Sequence, residues 1–116
     1  MQLTKTISIA VPLFLMLTAC GSKPALAPVT LTEQQNKLFQ QSCQTCHANA
    51  ASPAPQMGDI KAWKKRIEKG LPALVQNAMQ GFNAMPAGGM CTICTPKDLE
   101  AMIRYMATAQ TSTQNK

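Results

Sequence analysis

The pentapeptide Cys-Gln-Thr-Cys-His at residues 43–47 constrains the fold of this chain more than any other feature. It holds two of the five cysteines and the only histidine among 116 residues. If these residue types were shuffled along the chain, about 0.002 copies of the pattern would be expected by chance. C-x-x-C-H is the attachment signature of a c-type haem. The pattern therefore predicts one covalently bound haem c, with Cys43 and Cys46 joined to its vinyl groups and His47 bound to its iron.

Two other kinds of site also use a C-x-x-C pair. A thioredoxin-type redox site lies in a βαβ unit, which nothing in this sequence predicts. A zinc site needs four ligands, and Cys91 and Cys94 form a second C-x-x-C pair that would supply two of them. A zinc-binding structural lipoprotein therefore stays as an alternative to the haem protein.

The first 19 residues have the composition of a bacterial export signal. Lys5 supplies the positive charge, and residues 7–17 form an apolar run. The run is too short to cross a bilayer, which takes about 20 residues. A removed signal agrees with the haem prediction, because haem c is attached outside the bacterial cytoplasm. We therefore expect a protein of the cell envelope that faces the periplasm.

The signal ends in Leu17-Thr18-Ala19-Cys20, which resembles the lipobox of bacterial lipoproteins. This predicts cleavage before Cys20 and lipidation of that residue, so that the chain is anchored to a membrane. Gly21 after the cysteine favours the outer membrane, by resemblance to lipoprotein sorting rules. The alternative is ordinary cleavage after the A-x-A pattern at residues 25–27, but Pro28 follows that site, which lies well beyond the apolar run.

The mature chain divides into three parts. Residues 20–30 carry prolines and alanines without an amphipathic pattern and are predicted to be a lipidated tether. Residues 31–110 are predicted to form a single folded domain, and residues 111–116 a flexible tail. The domain has few large apolar residues for a protein-only core, and domains of this size are only marginally stable. We therefore expect a cofactor to occupy its centre.

Caps and periodicity predict four helices in the domain. The first runs from the N-cap Thr32 to about Ser42, and the second runs over residues 60–69 between Asp59 and Gly70. The third ends at Gly81, and the last follows the cap Thr95 and continues to about residue 109. No stretch alternates as a strand does, so the fold class is expected to be all-α. The predicted buried stripes of the second, third and last helices are Ile60, Trp63 and Ile67; Leu71, Leu74, Val75, Ala78 and Met79; and Leu99, Met102, Ile103 and Met106.

His47 can bind only one face of a haem, and a methionine in a loop is the expected ligand on the other. Met57, Met85 and Met90 all lie in predicted loops. Met85 is favoured because Pro86 biases it toward an extended backbone and the glycines at 88–89 let the chain pass close to the ring. Met57 and Met90 stay open as alternatives. His/Met ligation raises the iron potential and favours electron exchange over oxygen chemistry.

The order of these motifs resembles a class I cytochrome c, and within that class the cytochrome c5 group, over residues 33–107. The resemblance lies in the C-x-x-C-H motif, Ala84-Met85-Pro86, the second C-x-x-C and Tyr105-Met106. It implies a small all-α domain with about four helices around one haem, an electron carrier that is not an enzyme and has no small-molecule substrate, and a disulfide between Cys91 and Cys94. A working dithiol at these cysteines is the alternative. Gln35 departs from the family, in which a glycine usually allows the first and last helices to cross closely.

The mature chain is basic. Without Lys5, ten Lys and Arg residues stand against five Asp and Glu residues, for a net charge of +5. Five of the ten lie at residues 61–69, where they form a solvated helix face or a patch that attracts an acidic redox protein or anionic lipid head groups. Trp63 and Arg66 are candidate hydrogen-bond donors to the haem propionates. Nucleic acid is not an expected partner of an exported protein.

The predicted function is thus a membrane-tethered monohaem c-type cytochrome that carries single electrons between periplasmic redox partners. A haem sensor or peroxidase-like subunit with an open sixth position is an alternative, against which stands the lack of a second histidine in the chain.

Overall fold

The structure is a computed structural model that describes residues 26–109. Within this range the chain forms five α-helices and one 3₁₀ turn, and its only strand-like pairing is an isolated bridge between Phe82 and Met85. The all-α prediction is confirmed. The helices are α1 (Glu33–Gln41), α2 (Gln44–His47), α3 (Ile60–Ile67), α4 (Leu71–Gln80) and α5 (Pro96–Thr108), and the 3₁₀ turn is Ala87–Met90.

Helix α1 begins with a reciprocal cap and ends beside the C-x-x-C-H motif. The backbone N–H of Gln35 donates to the Thr32 hydroxyl at 3.2 Å, and the Thr32 N–H donates to the Gln35 side-chain oxygen at 3.1 Å. This capping box satisfies two N–H groups that a helix start leaves unpaired. Leu38 and Phe39 are the buried face of α1, and they lead directly into the buried Ser42. The predicted start of α1 at the N-cap Thr32 is confirmed.

Helices α3 and α4 lie between the motif and the C-terminal helix. Asp59 caps α3 by accepting the N–H of Ala62 at 2.9 Å. Two residues of the predicted stripes are exposed, Ile60 at 56% and Met79 at 48%, and Ile67, Leu71 and Val75 are only partly buried. Ile60 is the first residue of α3, and Met79 lies one position beyond Ala78, which is buried. The buried stripes of these two helices are therefore narrower than predicted.

Helix α5 is the centre of the core and packs against α1, α3 and α4. Thr95 and Asp98 form a second capping box at its start. All four residues of its predicted face are buried, together with Ala107. Tyr105 meets Phe39 of α1 edge to face, with ring centroids 5.4 Å apart, an arrangement that aromatic pairs prefer. Residues from both ends of the domain therefore close one hydrophobic core.

A hydrogen bond joins α1 to α5 where class I chains usually have a glycine. The side-chain amide of Gln35 donates to Oδ1 of Asp98 at 3.1 Å. Gln35 thus takes part in the cap of its own helix and in a contact with the cap of the last one. A polar side-chain contact connects the two helices at this position.

The segment before α1 is partly packed against the domain. Leu26 lies within the predicted tether, but it contacts the hydrophobic core. The signal peptide, Cys20 and the tail at 111–116 lie outside the described residues. Among residues 26–109 no helix is both long and apolar enough to cross a membrane.

Candidate functional site

One cavity of about 380 Å³ lies between α2, α3, α4, α5 and the loop at residues 82–90. Its volume is in the range of about 300–1,000 Å³ that small-molecule and cofactor pockets occupy. Cys43, Cys46, His47 and Met85 all line it. The structure thus brings the C-x-x-C-H motif and the favoured methionine to the same cavity, although they lie far apart in the sequence.

Both motif cysteines are free thiols beside this cavity. Cys43 is buried and Cys46 is exposed. The N–H of His47 donates to the Cys43 carbonyl at 2.9 Å and that of Cys46 donates to it at 3.3 Å, so the motif is wound into the short helix α2. Burial raises the pKa of the Cys43 thiol, against an opposing hydrogen bond with the Ser42 hydroxyl. Burial thus favours the neutral thiol form of Cys43.

The imidazole of His47 is oriented by the loop that follows it. Its Nδ1 lies 2.8 Å from the carbonyl oxygen of Pro55. Because a carbonyl only accepts, Nδ1 carries the proton and the lone pair of Nε2 is left for a metal. Burial lowers the pKa of His47, and the positive charge of Arg66 acts in the same direction. The ring is therefore neutral at pH 7, as iron ligation requires.

Met85 is held by a tight turn between α4 and the 3₁₀ turn. The N–H of Phe82 donates to the Met85 carbonyl at 3.0 Å, and the Met85 N–H donates to the Phe82 carbonyl at 2.9 Å. Gly81, at the end of α4, has a φ of +87°, and a Cβ there would lie 3.0 Å from the Met85 carbonyl oxygen and 3.1 Å from the Ala87 nitrogen. Glycine is needed at this position because the backbone passes so close to itself.

The two alternative methionines are placed differently. Met57 is not among the cavity-lining residues, and its N–H donates to the His47 carbonyl at 2.7 Å, so its backbone is joined to the histidine itself. Met90 lines the cavity but is 66% exposed. Met85 is partly buried and packs against the core. Among these three methionines, Met85 is therefore the one that combines a cavity position with shielding from solvent.

Cys91 and Cys94 are joined by a disulfide, with Cα atoms 5.5 Å apart. They directly follow the 3₁₀ turn, and Cys91 is buried. Disulfide-bonded sulfurs are not zinc ligands, and no group of three His, Cys, Asp or Glu residues within 26–109 is arranged to hold a metal ion. The zinc alternative therefore loses the second cysteine pair on which it depended.

Trp63 and Arg66, the candidate propionate donors, both line the cavity. The indole N–H of Trp63 donates to the carbonyl oxygen of Gln56 at 2.8 Å. The single N–H of the indole is thus already bonded in this structure, and a role for Trp63 at a propionate stays a prediction. Arg66 uses Nη1 on the Ala62 carbonyl at 2.7 Å. Its guanidinium has further donors, so a role for Arg66 at a propionate stays a prediction.

No pattern in the sequence predicts Pro55 and Gln56 as functional residues. Both act mainly through backbone carbonyls, one on His47 and the other on Trp63. The side chain of Gln56 also donates to the carbonyls of Cys46 and Ala54. The prolines in this segment predicted a loop, but a backbone carbonyl has no sequence signature that would predict its partner.

The residues of the site fit a haem c. Two free thiols, a neutral imidazole with one free nitrogen and a thioether surround a cavity whose other contacts include Leu74, Ala78 and Ile103. When bound, haem c supplies a one-electron Fe(III)/Fe(II) couple. Cys43 and Cys46 would hold it covalently, and His47 would ligate the metal.

Comparisons with known proteins agree with a haem c site. The family model described as "Cytochrome C oxidase, cbb3-type, subunit III" matches residues 30–106. Cytochrome c5 of Azotobacter vinelandii is 39% identical over 67 residues, which cover 56% of this chain and 81% of that protein. Cytochrome c5 of Ectopseudomonas mendocina is 35% identical over 72 residues, or 60% of this chain and 83% of the relative. Cytochrome c-555 of Chlorobaculum tepidum is 33% identical over 72 residues, which cover 59% of this chain and 67% of that protein.

A solved structure shows the same fold. It is a chain in the crystal structure of an electron-transfer complex of nitrite reductase with cytochrome c, with a TM-score of 0.58 and 33% sequence identity. The match covers 67% of the present chain and 95% of that chain. The chain described here therefore belongs to the family that the matching model represents. It is a class I, cytochrome c5-like c-type cytochrome with covalently attached haem c, and it is an electron carrier rather than an enzyme.

Proposed function

We propose that this cytochrome is a lipid-anchored single-electron carrier of the bacterial cell envelope, with His47 and Met85 as the axial ligands of its iron. The observation that carries the proposal is the shared cavity: the free Nε2 of His47 and the thioether of Met85 belong to different elements that line one space, together with both free thiols. The carrier has no substrate of its own. It receives one electron from one redox protein and passes it to another.

The residues around the iron favour a stable, six-coordinate site. The Pro55 carbonyl fixes the tautomer and orientation of His47, and two backbone hydrogen bonds fix the turn that carries Met85. Ligands that are held in place by their surroundings move little when the charge of the metal changes, which keeps electron exchange fast. A buried, largely apolar site with a thioether ligand also favours the reduced iron.

The basic residues at positions 61–69, in α3 and just after it, support docking to an acidic redox protein. Lys61, Lys64 and Lys65 are exposed, while Arg66 and Lys69 line the cavity. Positive charge thus extends from the surface of α3 to the lining of the cavity. Complementary charge raises association rates and orients the partner. The cytochrome c of the similar solved structure forms an electron-transfer complex with nitrite reductase, which supports a protein as partner.

The sequence supports the anchor. The apolar run and the lipobox-like residues 17–20 motivate lipidation of Cys20, and Gly21 motivates the outer membrane as its destination. In this proposal residues 20–30 tether the domain on the periplasmic side of that membrane. Leu26, within this predicted tether, contacts the core.

The ligand assignment is tested by the weak long-wavelength absorption band of a ferric iron–thioether bond. We expect the matured wild-type protein to show this band and to bind carbon monoxide poorly when reduced. Met85→Ala should abolish the band and open the sixth position, while Met57→Ala and Met90→Ala should keep it. A wild-type protein that binds carbon monoxide readily would instead support the haem-sensor or peroxidase-like alternative.

A further inference from the structure

Two adjacent glycines in the 3₁₀ turn differ in what a side chain would meet. We propose that Gly89 is a positioning residue for Met85, because its lack of a side chain reserves the space that the terminal methyl group of Met85 occupies. This inference rests on the proposed ligation of the iron by Met85. It adds to it a residue that does not touch the metal but determines where the thioether lies.

The contact involves the end of the side chain next to the sulfur. A Cβ built on Gly89 would lie 2.9 Å from Cε of Met85, closer than real Cβ atoms come to other heavy atoms. No other heavy atom outside the immediate chain neighbours lies within 4 Å of that Cβ position, among the residues that the structure describes. Cε of Met85 is therefore the described protein atom that a Cβ at residue 89 would meet, at a position that also lines the cavity.

Met85 can respond only by moving its side chain. Its backbone is held by the two hydrogen bonds to Phe82 and by the close approach to Gly81. The side chain itself is flexible, with three rotatable bonds. Because Cε is bonded directly to the sulfur, a displaced methyl group changes the direction of the sulfur lone pairs, which is what an axial ligand must control.

Gly88 supplies a matched control for backbone strain. Both glycines have a left-handed backbone, with φ +69° at Gly88 and +59° at Gly89, which disfavours a side chain at either position. A Cβ at Gly88 meets no heavy atom within 4 Å. Alanine therefore strains the backbone to a similar extent at either position, but only alanine at residue 89 collides with Met85.

The wild-type protein allows a direct test without any variant. In the reduced, diamagnetic holoprotein we expect a nuclear Overhauser effect between the ε-methyl protons of Met85 and the α protons of Gly89. The α protons of Gly88 should give none. Absence of the Gly89 cross-peak would overturn the inference, whatever the variants do.

The variants then test the consequence. We expect Gly89→Ala to shift or lose the iron–thioether band at full haem content, measured against covalently bound haem on a denaturing gel, while Gly88→Ala keeps the band. Equal spectra for the two variants would overturn the inference. Gly89→Asn and Gly88→Asn repeat the comparison with a residue that tolerates positive φ better. If Gly89→Ala loses the iron–thioether band but Gly89→Asn keeps it, the cause is backbone strain, and the result counts against the inference.

Met85→Ala separates the two proposals. If that variant keeps the band, Met85 is not the ligand and the proposed function fails. If Met85→Ala loses the band but Gly89→Ala behaves like Gly88→Ala, the ligation stands and only the role of Gly89 fails. If Gly89→Ala accumulates no holoprotein, the cross-peak in the wild-type protein decides.

Discussion

Single residues of this cytochrome act mostly through short hydrogen bonds to the backbone. The Pro55 carbonyl sets the tautomer of His47, and the Gln56 carbonyl takes the indole N–H of Trp63. Asp98 at the start of α5 is the best case for a measurable pH effect. Hydrogen bonds from Thr95, and then from Gln35, hold the pKa of its carboxyl group below the ordinary value.

Asp98→Asn should therefore destabilise the protein in a pH-dependent way. A carboxyl group whose pKa is lowered by folding stabilises the folded state above its unfolded pKa of about 3.9, and this contribution is lost as the pH falls through the lower folded value. We expect a cost of about 1 kcal/mol at pH 7, the usual size for a helix cap. The difference from wild type should begin to shrink near pH 4 and should vanish once the pH is below the folded pKa of Asp98.

Denaturant unfolding of the holoprotein at several pH values measures this difference. Glu100→Gln removes the same charge from the same helix, but Glu100 forms a partly exposed ion pair with Arg104. We therefore expect a smaller loss of stability that depends less on pH. A cost for Asp98→Asn that stays constant down to pH 3 would contradict the linkage to its carboxylate.

At the scale of the elements, local chemistry predicted where helices begin, and non-local packing determined what they bury. Thr32, Asp59 and Thr95 were all predictable as caps, because a cap depends on a side chain and a backbone N–H a few residues apart. The exposure of Ile60 was not predictable, since it depends on which element covers each face. The bond from Gln35 to Asp98 joins residues 63 positions apart, and no local pattern encodes it.

That bond makes Gln35→Glu a test of how α1 and α5 are joined. The new carboxylate still accepts the Thr32 N–H, so the cap of α1 survives, but it cannot donate to Asp98 and instead repels it. We expect a loss of about 2 kcal/mol at pH 7, the order of a lost hydrogen bond to a charged group. The loss should shrink as the pH approaches the range in which Asp98 is protonated.

Thermal melts of the holoprotein provide the measurement. Gln34→Glu adds the same charge to the same turn of α1 at an exposed position, where the helix N-terminus favours an acidic residue slightly. If the two variants melt alike, the contact between Gln35 and Asp98 contributes nothing to stability.

At the scale of the whole molecule, one cavity combines donors from distant parts of the sequence. The motif predicted three of the side chains that line this cavity, and the loop chemistry around Met85 predicted the fourth, which is the proposed second ligand. The orientation of His47, the contact of Gly89 with Met85 and the commitment of the Trp63 N–H depend on how these parts meet in the fold. Sequence patterns named the residues, whereas the tertiary arrangement determines what each one can do.

The basic patch gives a prediction for electron transfer. Lys69 lines the cavity, whereas Lys97 lies at the start of α5 and is not among the lining residues. Lys69→Glu should slow the oxidation of the reduced protein by the anion hexacyanoferrate(III) roughly threefold to tenfold at low ionic strength, because one charge reversal near the site acts on a trivalent reagent. Lys97→Glu, with the same net charge, should slow it much less.

Stopped-flow rates across a salt series measure both variants. Added salt should bring them toward the wild-type rate as the charges are screened. A cationic cobalt(III) oxidant should show the opposite order, with Lys69→Glu the fastest. Equal effects of the two substitutions would mean that only net charge matters and that the patch on α3 does not direct docking.

The anchor gives the last prediction, and it concerns where the whole molecule lies in the cell. If Cys20 carries the lipid, wild-type cells should incorporate labelled palmitate into a haem-staining band that partitions with membranes. Each buried methylene of an acyl chain contributes about 0.8 kcal/mol, so several chains hold a small domain firmly. Cys20→Ala should remove the label, while Cys94→Ala, which alters a cysteine in the folded domain, should keep it.

Because the site in residues 26–109 is built without Cys20, a Cys20→Ala protein whose signal is removed should keep the spectrum of the wild type. Label that persists in Cys20→Ala would place the lipid elsewhere or refute lipidation at this residue.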